Sequence, residues 1–293
     1  LANIAREKGK LITGLPASGF AILNADDERV MRFQEKTKAK TITFGFGDKA
    51  DVRAEHVVLE PEARLVKGIT FKMNYRGKSL PVRLPKIVAA HHVSAALAAA
   101  AVVIALKINP VEIVDALASF EPLPGRMRLL PGVRGSILLD DTYNASPTST
   151  TAALTVLQAL RAERKIVVLG DMLELGNEAD MRHRELFPWV ERSGAERIVL
   201  VGQHMRALCR TLIEAGWSEE QVFWFEQSDM AAAFVVTLVQ DGDLVLIKGS
   251  RGIRMEWVSE KLLFDPNEAK NFLCCQSSEW RNHPFVPPAE WMG

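Results

Sequence analysis

The sequence predicts an α/β protein whose C-terminal half is a Rossmann-like, mostly parallel sheet. Three observations carry that expectation. From residue 136 onward, five short apolar runs alternate with stretches of helical length, and parallel strands joined by covering helices are what such an alternation builds. Several of those runs end directly in polar or glycine-rich segments, namely Asp140-Asp141-Thr142-Tyr143-Asn144, Gly170-Asp171 and Lys248-Gly249-Ser250. Open α/β sheets bind ligands at such carboxyl strand ends. Finally, 48% hydrophobic and 25% charged residues over 293 positions is the mix of a globular protein large enough for two cores.

Taken in order, the chain opens at Leu1 inside a helical pattern and is expected to be truncated. Gly19–Asn24 and Thr41–Gly45 are apolar runs suited to buried strands. Arg53–Glu60, Leu65–Tyr75 and Ser79–Leu84 follow, with Arg76-Gly77-Lys78 as a hairpin turn. They read as an antiparallel patch added to a larger sheet. Ala89–Lys107 is an Ala-rich helix, and Pro110–Phe120 is a second with proline in its first turn. Pro122, Pro124 and Gly125 break the pattern and set the expected boundary between a domain of residues 1–122 and one of residues 123–264. The strands of the second are Ser136–Asp140, Lys165–Gly170, Arg197–Gly202, Gln221–Phe225 and Asp243–Lys248. Its helices are Ser149–Arg161, Ala179–Ser193, Met205–Ala215, Asp229–Gln240 and Met255–Phe264. Residues 265–293 hold Pro266, Pro284, Pro287, Pro288, Trp280 and Trp291 without a period, and read as an irregular tail.

Bulk chemistry narrows the function. Thirty-six basic residues balance thirty-six acidic ones, so no net field attracts nucleic acid or an anionic membrane. The longest apolar stretch, Val93–Leu106, is too short to span a bilayer, and no signal-peptide pattern appears. Cys209, Cys274 and Cys275 form neither a disulfide framework nor a metal-ligand spacing. They are expected to be incidental thiols in a cytoplasmic protein, with no metal site on this chain.

Four segments carry candidate chemistry. Leu138-Leu139-Asp140-Asp141-Thr142-Tyr143-Asn144-Ala145-Ser146-Pro147 ends a strand in acids and amides before a helix. A carboxylate there can accept from ribose hydroxyls, and an amide can hold a carboxylate or phosphate oxygen. Asx-turn chemistry ahead of a helix explains the same residues equally well. Gly170-Asp171-Met172-Leu173-Glu174-Leu175-Gly176 also reads as a plain βα loop. Lys248-Gly249-Ser250-Arg251-Gly252 sets two cations beside glycines at a helix start, a place for an anion. Its spacing is not that of a P-loop. Pro124-Gly125-Arg126 places an arginine at the expected boundary.

Together, and in this order, the four segments resemble the Mur ligases, and within them the enzymes that add D-alanyl-D-alanine to UDP-N-acetylmuramoyl-tripeptide. The resemblance runs from residue 1 to about 264 and takes in Gly14-Leu15, Asn24-Ala25-Asp26 and the helix from His91. It implies that residues 1–122 are the C-terminal part of a central ATPase domain and residues 123–264 the C-terminal Rossmann-like domain. The implied chemistry is ATP- and Mg²⁺-dependent activation of the tripeptide carboxylate as an acyl phosphate, then attack by the amine of D-alanyl-D-alanine. The implied partners are those two substrates and ATP, with no nucleic acid, no membrane insertion and a monomeric state.

Residue by residue, Arg126 matches an arginine that contacts nucleotide phosphates, and Asp141 an aspartate that bonds the ATP ribose. Tyr143, Asn144 and Ser146 fall in a substrate-facing loop. Lys248, Ser250 and Arg251 match a closing loop, with Arg126, Lys248 and Arg251 the expected catalytic cations and Ser250 and Arg251 facing the acceptor. His91 and His92 fall where the family reads adenine, but His92 and Ala95 replace two amides there, and Lys10 replaces an acid. The family's Gly-Lys-Thr phosphate loop, its Mg²⁺ ligands, its carbamylated lysine and its UDP-sugar domain have no counterpart in this sequence. The chain alone is therefore expected to be inactive. Two other readings stay open: a different amide ligase of the same build, such as a folylpolyglutamate or cyanophycin synthetase, and an inert binding subunit.

Overall fold

The computed structural model describes residues 2–61 and 66–282. They fall into two compact units, one reaching Glu121 and the other starting at Pro122. The first unit contains α1 (Ala2–Thr13), β1 (Phe20–Asn24), α2 (Glu28–Met31), β2 (Lys40–Gly45), β3 (Val52–Pro61), β4 (Val66–Tyr75), β5 (Lys78–Pro85), α3 (Ala90–Ala105) and α4 (Pro110–Leu117). Its five strands lie side by side in chain order. β1, β2 and β3 run parallel, while β3, β4 and β5 are antiparallel. The antiparallel patch on a larger sheet is thus present, with one correction at the hairpin. Tyr75 pairs with Lys78, so the turn is Arg76-Gly77 alone and Lys78 belongs to β5. Both turn residues have positive φ, 47° and 75°, the backbone a two-residue turn needs to match strand twist.

α3 turns Val93, Ala96, Leu97, Ala100 and Ala101 inward, the three- and four-residue spacing of one helix face. They pack with Val52, Ile69, Phe71, Met73, Val82 and Leu84 of the sheet. Small alanines let this helix sit close to the strands.

The second unit contains β6 (Arg128–Pro131), β7 (Ile137–Asp141), α5 (Pro147–Ala159), β8 (Arg164–Gly170), α6 (Ala179–Arg184), α7 (Phe187–Arg192), β9 (Arg197–Val201), α8 (Met205–Glu214), β10 (Val222–Phe225), α9 (Ser228–Leu238), β11 (Asp243–Lys248), α10 (Glu256–Leu262), α11 (Ala269–Phe272) and α12 (Ser278–Asn282). The sheet order is β10-β9-β8-β11-β7-β6. All neighbours are parallel except β6, which pairs antiparallel with β7. The mixed α/β fold with its mostly parallel C-terminal sheet is therefore as the sequence predicts. β11 returns to lie between β8 and β7, and every one of its residues is buried. The carboxyl ends of β8, β11 and β7 consequently sit side by side.

Three expectations need correction. β6 was not foreseen, because four residues ending in Pro131 carry too little period to read. The stretch Ala179–Ser193 is two helices, α6 and α7, not one. Pro188 lacks the N–H that would bond to residue 184, and its ring clashes with that carbonyl. The tail is also less irregular than expected. It forms α11 and α12, and Ala269 and Leu273 are buried in the core with Val258 and Leu262. Pro284, Pro287, Pro288 and Trp291 lie outside the described residues. No helix among the described residues is long and apolar enough to cross a membrane.

One buried ion pair closes the amino end of the sheet. Arg164 Nε and Nη2 donate to Asp243 at 2.8 and 2.6 Å, and the Gln240 N–H donates to the same carboxylate at 2.7 Å. Removing one member of such a pair strands the other in a desolvated place. Asp243→Ala is expected to lower unfolding stability by about 3 kcal/mol, read as a shifted denaturant midpoint at unchanged slope. A loss below about 1 kcal/mol would place the pair in the weak, surface-like class.

Candidate functional site

Parallel register sets Lys248 of β11 opposite Asp141 of β7. The lysine ammonium donates to Asp141 Oδ2 at 2.6 Å and to the Asn144 carbonyl at 2.9 Å. Only 2% of Lys248 is exposed. Burial lowers the lysine pKa and Arg126 adds repulsion, while the Asp141 carboxylate pulls it back up. Lys248 is thus a buried tie between two strand ends rather than a member of a mobile loop.

Asp140, on the other face of β7, holds a second tie. Fully buried, it accepts from the Gly125 N–H at 3.0 Å, Thr142 Oγ1 at 2.9 Å and Ser259 Oγ at 2.7 Å. Burial pushes its pKa up to about 6 against those three donors. Gly125 must be glycine: its φ is +72°, and a Cβ would stand 2.9 Å from the Tyr143 nitrogen and 2.8 Å from Cys274 Sγ. Tyr143 N–H donates to the Gly125 carbonyl at 3.1 Å. The Pro-Gly-Arg segment is therefore stitched to the end of β7. Arg126 emerges exposed, its guanidinium 4.2 Å from the Tyr143 ring centre.

The third loop is joined at Ser250. Its hydroxyl accepts from the Leu173 N–H at 2.9 Å and donates to the Ala145 carbonyl at 3.3 Å, and its N–H donates to the Asp171 carbonyl at 3.0 Å. Ser250 is buried and acts as a rivet between the loops after β7, β8 and β11. Ser146 caps α5, accepting from the Ser149 N–H at 3.3 Å. The Asn144 side-chain oxygen accepts from the Ala145 N–H at 2.9 Å. Arg251 is exposed, with its guanidinium 4.4 Å from the Trp280 ring centre.

Arg126, Asp141, Tyr143, Asn144, Ser146, Lys248, Ser250 and Arg251 thus gather at the carboxyl edge of one sheet. His91 and His92 belong to the other unit. There His91 is exposed at the start of α3, while His92 is buried with its ring edge-on to Phe120, 6.1 Å between centres. Among the described residues no three His, Cys, Asp or Glu side chains converge as a metal site.

Sequence reasoning missed several structural members. Asp171 is not a ligand-facing loop acid: its carboxylate accepts from the N–H groups of His204 and Met205 at 3.1 and 2.7 Å, capping α8. His183 is wholly buried, its Nε2 accepting from the Met172 N–H at 2.9 Å and its Nδ1 2.7 Å from the Ala179 carbonyl. Those partners require a neutral ring with its proton on Nδ1. Nothing in the local sequence around His183 marks it, because its partner amide lies in the loop after another strand.

The chain belongs to the Mur ligase family: a model of the Mur ligase middle domain matches residues 1–103, and one of the Mur ligase, glutamate ligase domain matches residues 125–251. Within that family it is similar to the UDP-N-acetylmuramoyl-tripeptide–D-alanyl-D-alanine ligases. That of Escherichia coli is 30% identical over 265 residues, which is 89% of this chain and 56% of the relative. A crystal structure of MurF from Acinetobacter baumannii matches with a TM-score of 0.75 at 30% identity, covering 88% of this chain and 55% of that one. MurF from Thermotoga maritima, solved in complex with ADP, shares the fold with a TM-score of 0.73 at 20% identity, covering 92% of this chain and 58% of that one. The chain spans a little over half the length of the curated relatives it matches.

The geometry at His183 has a consequence in acid. Burial lowers its pKa from 6.5 to about 4. The unfolded chain therefore takes up this proton first, and the stability His183 contributes, present above about pH 6.5, is lost as pH falls through about 4, up to about 3 kcal/mol. Asp140 and Asp171, whose pKa values burial raises, act in the opposite sense over the same window. His183→Gln keeps one acceptor and one donor but cannot charge. Its melting temperature is expected to fall less than that of the parent between pH 6.5 and 4. Parallel profiles would show that His183 does not titrate there.

Proposed function

We propose that this chain forms the C-terminal part of an ATP-dependent ligase of peptidoglycan synthesis, one that adds D-alanyl-D-alanine to UDP-N-acetylmuramoyl-tripeptide and works as a cytoplasmic monomer. The observation that carries the reading is the convergence of Arg126, Asp141, Tyr143 and Arg251 at one sheet edge, in a chain whose curated relatives are named for that reaction.

In this reading an oxygen of the tripeptide carboxylate attacks the γ-phosphorus of ATP, and ADP leaves. The amine of D-alanyl-D-alanine then attacks the acyl carbon, and phosphate leaves with the carbonyl re-formed. Charge on the transferring group is the main obstacle, and exposed guanidinium groups answer it. Arg126 faces the nucleotide phosphates and is kept extended by the Tyr143 ring. Asp141 accepts from the ribose, because a carboxylate paired to Lys248 through Oδ2 retains further lone pairs. Lys248 touches no substrate; it positions Asp141 and the Asn144 carbonyl. Ser250 likewise positions, since its hydroxyl is already occupied on both sides. Ser146 shapes the α5 terminus. Asn144 and Arg251 are left to meet the acceptor, with the Arg251 guanidinium suited to its carboxylate.

ATP phosphates and Mg²⁺ need more than this. Among the described residues no three His, Cys, Asp or Glu side chains converge to hold a metal ion. Gly77-Lys78-Ser79 is no phosphate loop: it lies across a β-hairpin, with Lys78 paired to Tyr75 and Ser79 to Asn74 in the strands. The 293-residue chain incubated with ATP, Mg²⁺ and both substrates is therefore expected to release no phosphate above a blank.

Nucleotide binding itself is expected to be weak, about millimolar, corresponding to roughly 4 kcal/mol. Titrating ADP while following the chain by NMR tests the assignment. Arg126→Ala should abolish the response, since a charge-assisted bond is worth about 1.5–3 kcal/mol, and should leave the melting temperature unchanged because the side chain is exposed. Unaltered ADP binding in that variant would remove Arg126 from the site.

A further inference from the structure

Arg251 is the exposed cation of the loop after β11, and what holds it comes from α12. The 3-10 turn over Arg251–Ile253 closes with the Arg254 N–H donating to the Arg251 carbonyl at 3.2 Å. Side chains three residues apart across such a turn line up on one side, and here both guanidinium groups reach one indole. That of Arg251 lies 4.4 Å from the Trp280 ring centre, and that of Arg254 5.1 Å away. Among the described residues Arg251 forms no ion pair with a carboxylate. Contact with a ring face occupies none of the N–H donors that a carboxylate takes in pairs.

Trp280 is fixed in its turn. Its Nε1 donates to Glu256 Oε1 at 2.9 Å. Glu256 is buried at the start of α10, and its Oε2 has no partner among the described residues. The indole N–H is therefore a large part of what offsets the loss of water around that carboxyl. Arg281, next in the chain, donates to Glu260 Oε1 at 2.9 Å and to Gln276 Oε1 at 3.0 Å. Earlier in the same segment, Ala269 and Leu273 are seated in the core. α12 is thus tied to α10 at Glu256 and at Glu260. Arg254, buried beside the ring, is itself 5.1 Å from the centre of Trp257.

We propose that Trp280 is a positioning residue, holding the Arg251 guanidinium in place before the terminal carboxylate of the acceptor arrives. The inference rests on the reading of Arg251 as the cation that meets that carboxylate. An exposed arginine gives up rotamer freedom when it grips an anion, and a ring contact made beforehand removes part of that loss. The ring also attracts the cation directly. The ligand class that follows is a short peptide with a free C-terminal carboxylate, since an amidated end offers the fork no anion. A Trp280 that only stapled α12 to α10 would leave the motion of Arg251 unaffected.

The test is NMR on the intact folded chain labelled with ¹⁵N, following the Arg251 Nε–H signal, identified by its loss in Arg251→Lys. In the parent that signal should report restricted motion. In Trp280→Leu it should relax like an unrestrained arginine, with the Arg126 signal unchanged. Trp280→Phe, which keeps a ring, should retain part of the order, and Glu256→Gln, which keeps an acceptor for the indole, nearly all of it. Should Trp280→Leu fail to fold, adding Glu256→Leu removes the ring without stranding the carboxyl. D-alanyl-D-alanine should move the Arg251 signal of the parent, and D-alanyl-D-alaninamide should not. Binding of the dipeptide should be about two- to fivefold weaker in Trp280→Leu. An Arg251 equally mobile in the parent and in Trp280→Leu would overturn the proposal and leave the ligase reading standing. An ordered Arg251 that does not tell the dipeptide from its amide would remove the acceptor from this residue, and the proposal with it.

Discussion

The arrangement of the site depends on the buried contact between Lys248 and Asp141. Two parallel strands, β11 and β7, end side by side, and an ammonium placed there without an anion would cost more than the sheet could return. The aspartate supplies the anion, and the Asn144 carbonyl accepts a further hydrogen bond from the ammonium. The loop after β7 must then follow a path that brings that carbonyl within reach. Tyr143 and Arg126 are placed by the same path, through the backbone bond from Tyr143 to Gly125. A short polar contact at the core's rim thus orders groups that themselves face water.

A division follows between residues that tie loops and residues left facing water. Asp140, Lys248, Ser250, Asp171 and His183 are buried and bonded to backbone of other segments. Arg126, Tyr143, Asn144 and Arg251 are exposed. The two sets are interleaved in sequence, so that Asp140 and Asp141, or Ser250 and Arg251, are neighbours with different tasks. In strands this comes from alternation of faces; in the loop after β11 it comes from the turn that buries Ser250 and releases Arg251.

The alternation of apolar runs and helices made the second unit's sheet legible, since β7, β8, β9 and β11 are buried and apolar along most of their length and β10 is wholly apolar. β6 was not legible, because four residues ending in Pro131 carry too little period to read. The break between α6 and α7 was written in Pro188 but masked by apolar spacing on either side. At the site, the strand-end position of Asp141, Lys248 and Arg251 could be read, because it follows from strand direction. The burial of Lys248 could not, since a cation after a strand looks the same whether it faces solvent or a carboxylate. Asp171 and His183 were opaque for a related reason: their partners are backbone amides distant in sequence, and an amide has no sequence signature.

The short strand β6 also decides what the sheet can do at its outer margin. It is antiparallel, four residues long and ends in Pro131, which offers no N–H. The chain leaving α10 then folds along it, with Leu263 bridging to Gly132 and the Phe264 N–H donating to the Pro131 carbonyl at 3.1 Å. A margin partly occupied by its own chain is a poor template for a foreign strand. On this side the protein carries built-in protection against pairing sheet to sheet with its own copies at the concentrations reached during synthesis.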